Sequence, residues 1–228
     1  MKLRFKESIL TSLRLLVLLS CGTAARADEV LATVTDAAGA PVANAIVTLY
    51  GNAPVKETAP VAAVMDQHNK QFDPHVLVVR THTSVRFPNS DDIHHEVYSF
   101  SKPKPFELPL YHGTTAAPVT FDNPGEVVLG CNIHDNMFGY IYVVDTPWFA
   151  KTDAAGKSTI AAVPAGKYRA RLWYPGLAAS ATAIEQNIIV AASGPASITF
   201  NNAQREVRAA NASSTSTRSW GERRQADH

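Results

Sequence analysis

Most of the chain consists of short apolar runs that are rich in β-branched residues and separated by turn residues. These runs show little helical periodicity, and apolar runs bounded by turn residues are typical of β-strands. The clearest runs lie at residues 30–34, 45–50, 75–80, 84–87, 126–129, 140–144 and 167–173. Asn-Pro-Gly at 123–125 and Pro-Ala-Gly at 164–166 are turn signals between them. The pattern predicts an all-β sandwich protein.

Two turns have the same sequence, Asp-Ala-Ala-Gly, at residues 36–39 and 153–156. The segment around the first turn resembles the opening of a carboxypeptidase-regulatory-like, or transthyretin-like, β-sandwich, and its expected continuation comes only with the second turn. This resemblance implies one sandwich built from residues 28–58 and 146–200, split by an inserted domain, residues 59–145. The alternative is two unrelated β-segments flanking the middle domain, because Asp-x-x-Gly turns are common.

The N-terminus has the pattern of a secretory signal peptide. Basic residues at positions 2, 4 and 6 precede a mostly apolar run at 9–19, which Arg14 interrupts, and Ala25-Arg26-Ala27 forms a small-x-small cleavage site before Asp28. We therefore expect residues 1–27 to be removed and the mature protein to reside in the periplasm. A lipoprotein box ending at Cys21, which would tether the protein to a membrane, is the alternative.

Beyond the signal peptide, no apolar stretch is long enough to predict a transmembrane helix in the mature chain. Residues 201–228 are mostly small, polar or charged, which predicts a disordered tail. The formal net charge of +1 argues against nucleic acid as a partner, because that binding needs a concentrated basic surface.

Cysteine usage is more informative than charge. The chain has two cysteines, and Cys21 would leave with the signal peptide, so Cys131 would be the lone thiol of the mature protein. In an oxidising compartment a lone thiol is a liability unless it is buried, pairs with another chain or is held by a metal.

Three potential metal ligands, Cys131, His134 and Met137, lie in one short loop between two predicted strands. Each alone would be unremarkable, because a single cysteine or methionine is more often a core residue. A thiolate and two imidazoles form a trigonal set that suits copper, with a thioether at longer distance. The loop therefore predicts a copper site that takes a second histidine from elsewhere.

The segments 87–101 and 131–137 resemble cupredoxins of the amicyanin and plastocyanin type. In that family one histidine follows an early strand, and the other ligands come from a Cys-x-x-His-x(2 to 4)-Met loop. The resemblance implies a Greek-key β-sandwich and the copper ligands His95, Cys131, His134 and Met137. It also implies that Asn89 braces the ligand loops. The same segments resemble exported proteins labelled methylamine utilisation proteins.

Some details depart from that family or stay open. Glu96 replaces the family's usual asparagine, and residues 81–84 lack its usual glycine. His94 is expected to be a solvated neighbour, with an exchanged role for His94 and His95 as the alternative, and glutamine or a backbone oxygen can replace an axial methionine. A second metal site among four further histidines is possible in principle, but surface or strand positions are favoured: His68, His75, His82 and His112.

These features predict a one-electron carrier with a type 1 (blue) copper site. Its partner would be a redox protein such as a cytochrome or a periplasmic dehydrogenase. Two alternatives are a copper-delivery protein and a binding module with structural copper. We do not expect an enzyme, because the chain has no nucleophile elbow, phosphate-binding glycine loop or paired catalytic carboxylates in a motif.

Overall fold

The structure, a computed structural model, describes residues 28–54, 62–114, 117–177 and 183–203. Every helix or strand assigned within these ranges is a β-strand, so the predicted all-β fold is confirmed. Among these residues there is no apolar helix of membrane-spanning length. The predicted signal peptide, including Cys21, and residues 204–228 of the predicted tail lie outside the described residues.

Nineteen strands make up the described chain. In chain order they are β1 (Asp28–Asp36), β2 (Ile46–Gly51), β3 (Ala63–Val64), β4 (Asp66–His68), β5 (Gln71–Asp73), β6 (Val76–Arg80), β7 (Thr83–Arg86), β8 (Pro88–Asn89), β9 (His95–Ser99), β10 (Phe106–Tyr111), β11 (Gly113–Thr114), β12 (Val119–Phe121), β13 (Gly125–Gly130), β14 (Phe138–Val144), β15 (Phe149–Lys151), β16 (Lys157–Val163), β17 (Gly166–Trp173), β18 (Ile184–Val190) and β19 (Ala196–Ala203).

Strands from both ends of the described chain form one pair of sheets, which we call the outer sandwich. One sheet has the order β16-β1-β19 and the other β15-β2-β17-β18. Strand β2 therefore lies between strands from the far side of the middle segment, with Leu49 opposite Ala170. Their inner faces share one apolar core that includes Val30, Leu49 and Phe200. The sandwich thus pairs strands separated by the whole middle segment, as the two related turns predict, while the exact domain boundaries stay a prediction.

Strand β19 corrects the start of the predicted tail. The polar composition placed that start at Asn201, but β19 continues to Ala203. The reason is that β1 offers a parallel partner along this stretch, with Asp36 opposite Ala203. Backbone pairing holds a polar segment that composition alone assigns to no strand.

The two Asp-Ala-Ala-Gly turns have the same local structure. The Oδ1 atom of Asp36 accepts hydrogen bonds from the backbone N–H groups of residues 38 and 40, and Oδ1 of Asp153 accepts from those of residues 155 and 157. Gly156 has φ 69°, and a Cβ there would lie 2.4 Å from the carbonyl oxygen of Val34. Glycine is required at that position by both conformation and close approach.

The middle segment forms the central sandwich. Its largest sheet has the order β10-β9-β13-β14-β6, and the strand sets β12-β7-β3 and β11-β8-β4-β5 complete it. The core between them contains Phe72, Phe87, Phe121 and Ile141. Strands β13 and β14 pair antiparallel up to Gly130 opposite Phe138, so residues 131–137 form the loop at the end of a buried hairpin.

A third apolar cluster joins the two sandwiches. Trp173 of β17 stacks on Tyr142 of β14, with ring centroids 4.6 Å apart. The Trp173 Nε1–H group donates a 2.8 Å hydrogen bond to Oε2 of Glu126 on β13. Lys151 of β15 donates a 2.7 Å hydrogen bond to the carbonyl oxygen of Val76 on β6. The central sandwich is therefore packed against the outer one through buried aromatic and polar contacts.

Candidate metal centre

The loop at residues 131–137 is held closed by its own backbone. The Cys131 N–H donates to the carbonyl oxygen of Met137 at 3.1 Å, and the Met137 N–H donates to that of His134 at 2.9 Å. Gly130, just before the loop, is covered by the Tyr98 ring, and a Cβ on Gly130 would lie 2.5 Å from it. The loop therefore places the side chains of Cys131 and His134 on a rigid turn next to β9.

His95 is the first residue of β9 and is fully buried. Strand β9 pairs with β13 at Tyr98 and Gly130, which brings its first residue to the loop at 131–137. A buried imidazole needs hydrogen-bond or ligand partners for both ring nitrogens. In His95 one nitrogen faces Cys131 and the other faces Asp91.

Three donor atoms converge at this point. The Sγ atom of Cys131 lies 3.7 Å from Nδ1 of His95 and 3.7 Å from Nδ1 of His134. All three lie within 4.8 Å of one another. Metal–sulfur and metal–nitrogen bonds of about 2.3 and 2.0–2.1 Å at tetrahedral to trigonal angles give a sulfur–nitrogen separation of roughly 3.6–3.8 Å. The spacing therefore fits one first-row metal ion.

The type of donors selects among metals. One thiolate and two imidazoles, with a thioether in the same loop, suit copper, whereas structural zinc sites take four tetrahedral ligands. Met137, the predicted axial ligand, is 2 % exposed and packs in the same core cluster as Cys131. The structure brings His95, Cys131 and His134 together and buries Met137 in their loop, while the assignment of these four residues as ligands stays a prediction.

Asp91 is the residue of this site that the sequence reasoning missed. Its Oδ2 atom lies 2.8 Å from Nε2 of His95, and its side chain is 13 % exposed. A carboxylate that accepts the Nε2 proton leaves the Nδ1 lone pair directed at Cys131, which is the tautomer a metal needs. The available signal was an aspartate four residues before a predicted ligand.

The electrostatic environment favours an ionised Asp91 carboxylate and a neutral His134 imidazole. Burial tends to raise the pKa of Asp91, but the N–H groups of Lys70 and Asn69 and the His95 ring outweigh it, so the net pKa is lowered and the carboxylate is ionised. Burial lowers the pKa of His134, with further contributions from His95 and Lys70. A neutral imidazole is the form that ligates a metal.

Asn89 braces the loop between β8 and β9, as the resemblance implies. Its Nδ2 atom donates to the carbonyl oxygens of Ile93, at 2.8 Å, and Tyr111, at 3.0 Å. Its Oδ1 atom accepts from the N–H of Asp91 at 3.0 Å. Asn89 thereby fixes the position of Asp91, the residue that orients His95.

Gln67, for which the sequence pattern predicts no chemical role, lies fully buried behind this loop. Its amide nitrogen donates to the carbonyl oxygen of Pro88 and to the hydroxyl of Tyr111. Tyr111 lies opposite His95 across the strand pair, and its hydroxyl donates to the carbonyl oxygen of Phe87. Burial chiefly raises the pKa of Tyr111, to about 12, so the phenol stays neutral.

One departure from the cupredoxin pattern, the absence of a glycine at residues 81–84, has a local explanation. His82 has φ 66°, so it adopts the left-handed conformation for which a glycine is the usual residue. Glu96 is buried, at 7 % exposure.

Three of the remaining histidines lie apart from the Cys131 cluster. His68 faces Asp91, His82 faces Asp122, and the His75 ring packs edge-on against Phe138 and Tyr140. His112 lies beside the exposed His94.

No family model matches the chain, and no curated protein matches it. Similar solved structures include a copper-containing nitrite reductase from Thermus scotoductus SA-01, at 25% identity and TM-score 0.36. This match covers 50% of this chain and 28% of the nitrite reductase chain. A reduced Cu(I) amicyanin variant is 22% identical at TM-score 0.34, covering 43% of this chain and 98% of amicyanin. A purple cupredoxin from Nitrosopumilus maritimus is 20% identical at TM-score 0.32, and the match covers 37% of this chain and 100% of the purple cupredoxin.

These TM-scores are too low to carry function from those proteins to this chain, and this chain spans little more than a quarter of the nitrite reductase. Its own atoms define its class. It is an all-β protein with a cysteine and two histidines converging at the end of a buried hairpin, a donor set that can hold copper.

Proposed function

We propose that this chain is an exported copper protein that carries one electron at a type 1 site. The observation that carries the proposal is the convergence of Cys131 Sγ with the Nδ1 atoms of His95 and His134. Copper bound to this set would supply a one-electron couple. His95, Cys131 and His134 would bind it, with Met137 as the axial ligand.

The surrounding residues support electron transfer over other uses of copper. His95, Cys131 and Met137 are nearly inaccessible to water, and Asp91 and Asn89 hold the His95 loop in place. A site fixed in this way limits the rearrangement that accompanies a change of oxidation state. The low exposure of these three side chains also supports a carrier rather than an enzyme, because an enzyme needs substrate access to the metal.

A redox protein such as a cytochrome or a periplasmic dehydrogenase is the partner that we propose. His134 is the least buried of the three converging ligands, so we propose it as the exit for the electron. Ile93 and Ile133, on the two ligand loops, are exposed apolar side chains. Exposed apolar residues around a partly accessible ligand suit a small, transient contact.

Cu(II) addition to the purified protein tests the proposed function. We expect an intense visible charge-transfer band that bleaches on chemical reduction and returns on reoxidation, with one thiolate-bound copper retained per chain. A copper-delivery protein would instead release Cu(I) to a moderate chelator after reduction. Copper binding without a visible band would refute the type 1 assignment and favour a structural role.

Export is a separate part of the proposal, supported by the basic and apolar pattern of residues 1–27. Expression of the full chain in a Gram-negative host should give a periplasmic product whose first residue is Asp28. Retention of the full N-terminus in the cytoplasm would refute export, and a lipid on Cys21 would establish the lipoprotein alternative.

A further inference from the structure

Two exposed histidines, His94 and His112, lie side by side next to the Cys131 cluster. Strand β9 begins at His95, which lies opposite Tyr111 of β10 in the antiparallel pair. One step further out, the same register places His94 opposite His112. Successive side chains point to opposite faces of a sheet, so the residue before the buried His95 projects outward. Both histidines are accordingly exposed.

The separation of the two rings lies within the range for two imidazoles that share a metal ion. The centroids of the two rings are 5.9 Å apart and the ring planes make an angle of 47°. Two imidazoles bound to one ion at about 2.0–2.1 Å have centroids roughly 4.5–6 Å apart, depending on the angle at the metal. Residues opposite one another across antiparallel strands are close enough for such contacts.

The partners of the other exposed histidines differ. His68 and His82 each have an aspartate oxygen beside a ring nitrogen, at 3.9 and 3.1 Å. Within the described residues, neither His94 nor His112 has a hydrogen bond or an ion pair, and each ring lies beside the other. Their nitrogens therefore have no described protein group to displace before they bind a metal.

We propose that His94 and His112 form a second, solvent-exposed site for a divalent first-row metal ion, with water completing the coordination. Imidazole nitrogens with water favour Cu(II) most among these ions. This site is separate from the proposed function, since it requires neither Cys131 nor a redox-active copper.

Cu(II) titration of the intact protein, followed by electron paramagnetic resonance and metal analysis after dialysis, tests the second site. We expect the wild type to bind one Cu(II) ion per chain more than the double variant His94→Ala/His112→Ala. The extra ion should give a tetragonal nitrogen and oxygen signal, distinct from that of a thiolate-bound ion. The charge-transfer band at Cys131 should be equal in both proteins.

The double variant His68→Ala/His82→Ala is the matched control, because it also removes two exposed imidazoles and should keep the extra ion. Each single variant, His94→Ala or His112→Ala, should lose that ion as completely as the double variant does, because one ion needs both rings. The proposal would be overturned if both double variants lost the same amount of Cu(II), or if His94→Ala/His112→Ala bound as much Cu(II) as the wild type. If the charge-transfer band at Cys131 is absent from every protein, including the wild type, the proposed function is refuted. The stoichiometry test of the second site remains valid in that case.

Discussion

The Nε2 atom of His95 lies 2.8 Å from Oδ2 of Asp91, while the opposite ring nitrogen faces Cys131 at 3.7 Å. The imidazole is thus held between a carboxylate and the candidate metal position. Asp91 is in turn held by the backbone N–H groups of Asn69 and Lys70, at 2.7 and 2.9 Å. The β4–β5 turn therefore helps to orient a candidate ligand that belongs to another strand.

Asp91→Asn should weaken copper binding without removing a ligand. The amide oxygen can replace only part of the carboxylate's role, and its neutral group no longer fixes the His95 tautomer by charge. Loss of an orienting partner typically costs tenfold to hundredfold in metal affinity. Competition with a copper chelator measures the change.

Asp92→Asn is the control for Asp91→Asn, because Asp92 is an exposed neighbour of the same charge. It should keep the wild-type affinity. Equal weakening by both variants would mean that net charge near the site, and not the contact with His95, determines affinity. The thermal midpoint without copper separates either effect from loop unfolding.

Cys131→Ser should abolish the visible charge-transfer band and leave the protein folded. The band requires a thiolate bonded to copper, and a serine hydroxyl is neither soft nor readily deprotonated. A buried hydroxyl costs about 1–3 kcal/mol, which is less than the 5–15 kcal/mol by which domains are usually stable. Absorption and circular dichroism spectra check the two halves of this prediction, and an unchanged band would contradict a copper–thiolate bond.

His95→Ala and His94→Ala should differ sharply at the Cys131 site. His95 is buried with Nδ1 facing the sulfur, whereas the neighbouring His94 is exposed. We expect the band to be lost or strongly weakened in His95→Ala and retained in His94→Ala. Equal loss in the two variants would contradict the assignment of His95 as the ligand.

Met137→Leu should raise the reduction potential of bound copper while preserving its colour. The change keeps the volume of a 2 %-exposed core side chain but removes a sulfur donor that favours the oxidised metal. Redox titration followed at the charge-transfer band gives the potential. A potential that stays at the wild-type value would mean that Met137 packs in the loop without ligating the metal.

The candidate ligand loop and the strand pattern were predictable because they are local in sequence. Cys131, His134 and Met137 fall within one turn, and the Asp36 and Asp153 turns follow from an aspartate with glycine three residues later. A lone thiol after a predicted signal peptide adds a physical reason to expect burial, pairing with another chain or a metal ligand. Such features need no knowledge of the distant strands.

Other features depend on pairing that sequence alone does not give. The carboxylate that contacts His95 is held in part by the backbone N–H groups of Asn69 and Lys70, which belong to a turn distant in sequence from Asp91. His94 and His112 are eighteen residues apart and meet only through the β9–β10 register. Polar composition likewise misplaced the end of β19, because the parallel partner β1 holds its last residues.

Glu126→Gln should stabilise the protein at neutral pH relative to the wild type. Burial raises the pKa of Glu126 in the folded state, and the hydrogen bond from Trp173 offsets this only in part. The folded protein therefore holds that proton more tightly than the unfolded chain does. The stabilisation that protonated Glu126 contributes is full below the unfolded-state pKa and is lost as pH rises through the folded-state pKa.

Denaturant unfolding at a series of pH values from acidic to neutral tests this prediction. The glutamine oxygen can still accept from Trp173 Nε1–H, so the contact between the sandwiches is kept while the proton is no longer titrated. The free energy of unfolding of the variant should increase relative to that of the wild type as pH rises through this window. Glu29→Gln, at an exposed position on β1, controls for the loss of one negative charge. An identical pH dependence in wild type and Glu126→Gln would show that the carboxylate is as well solvated in the folded protein as in the unfolded chain.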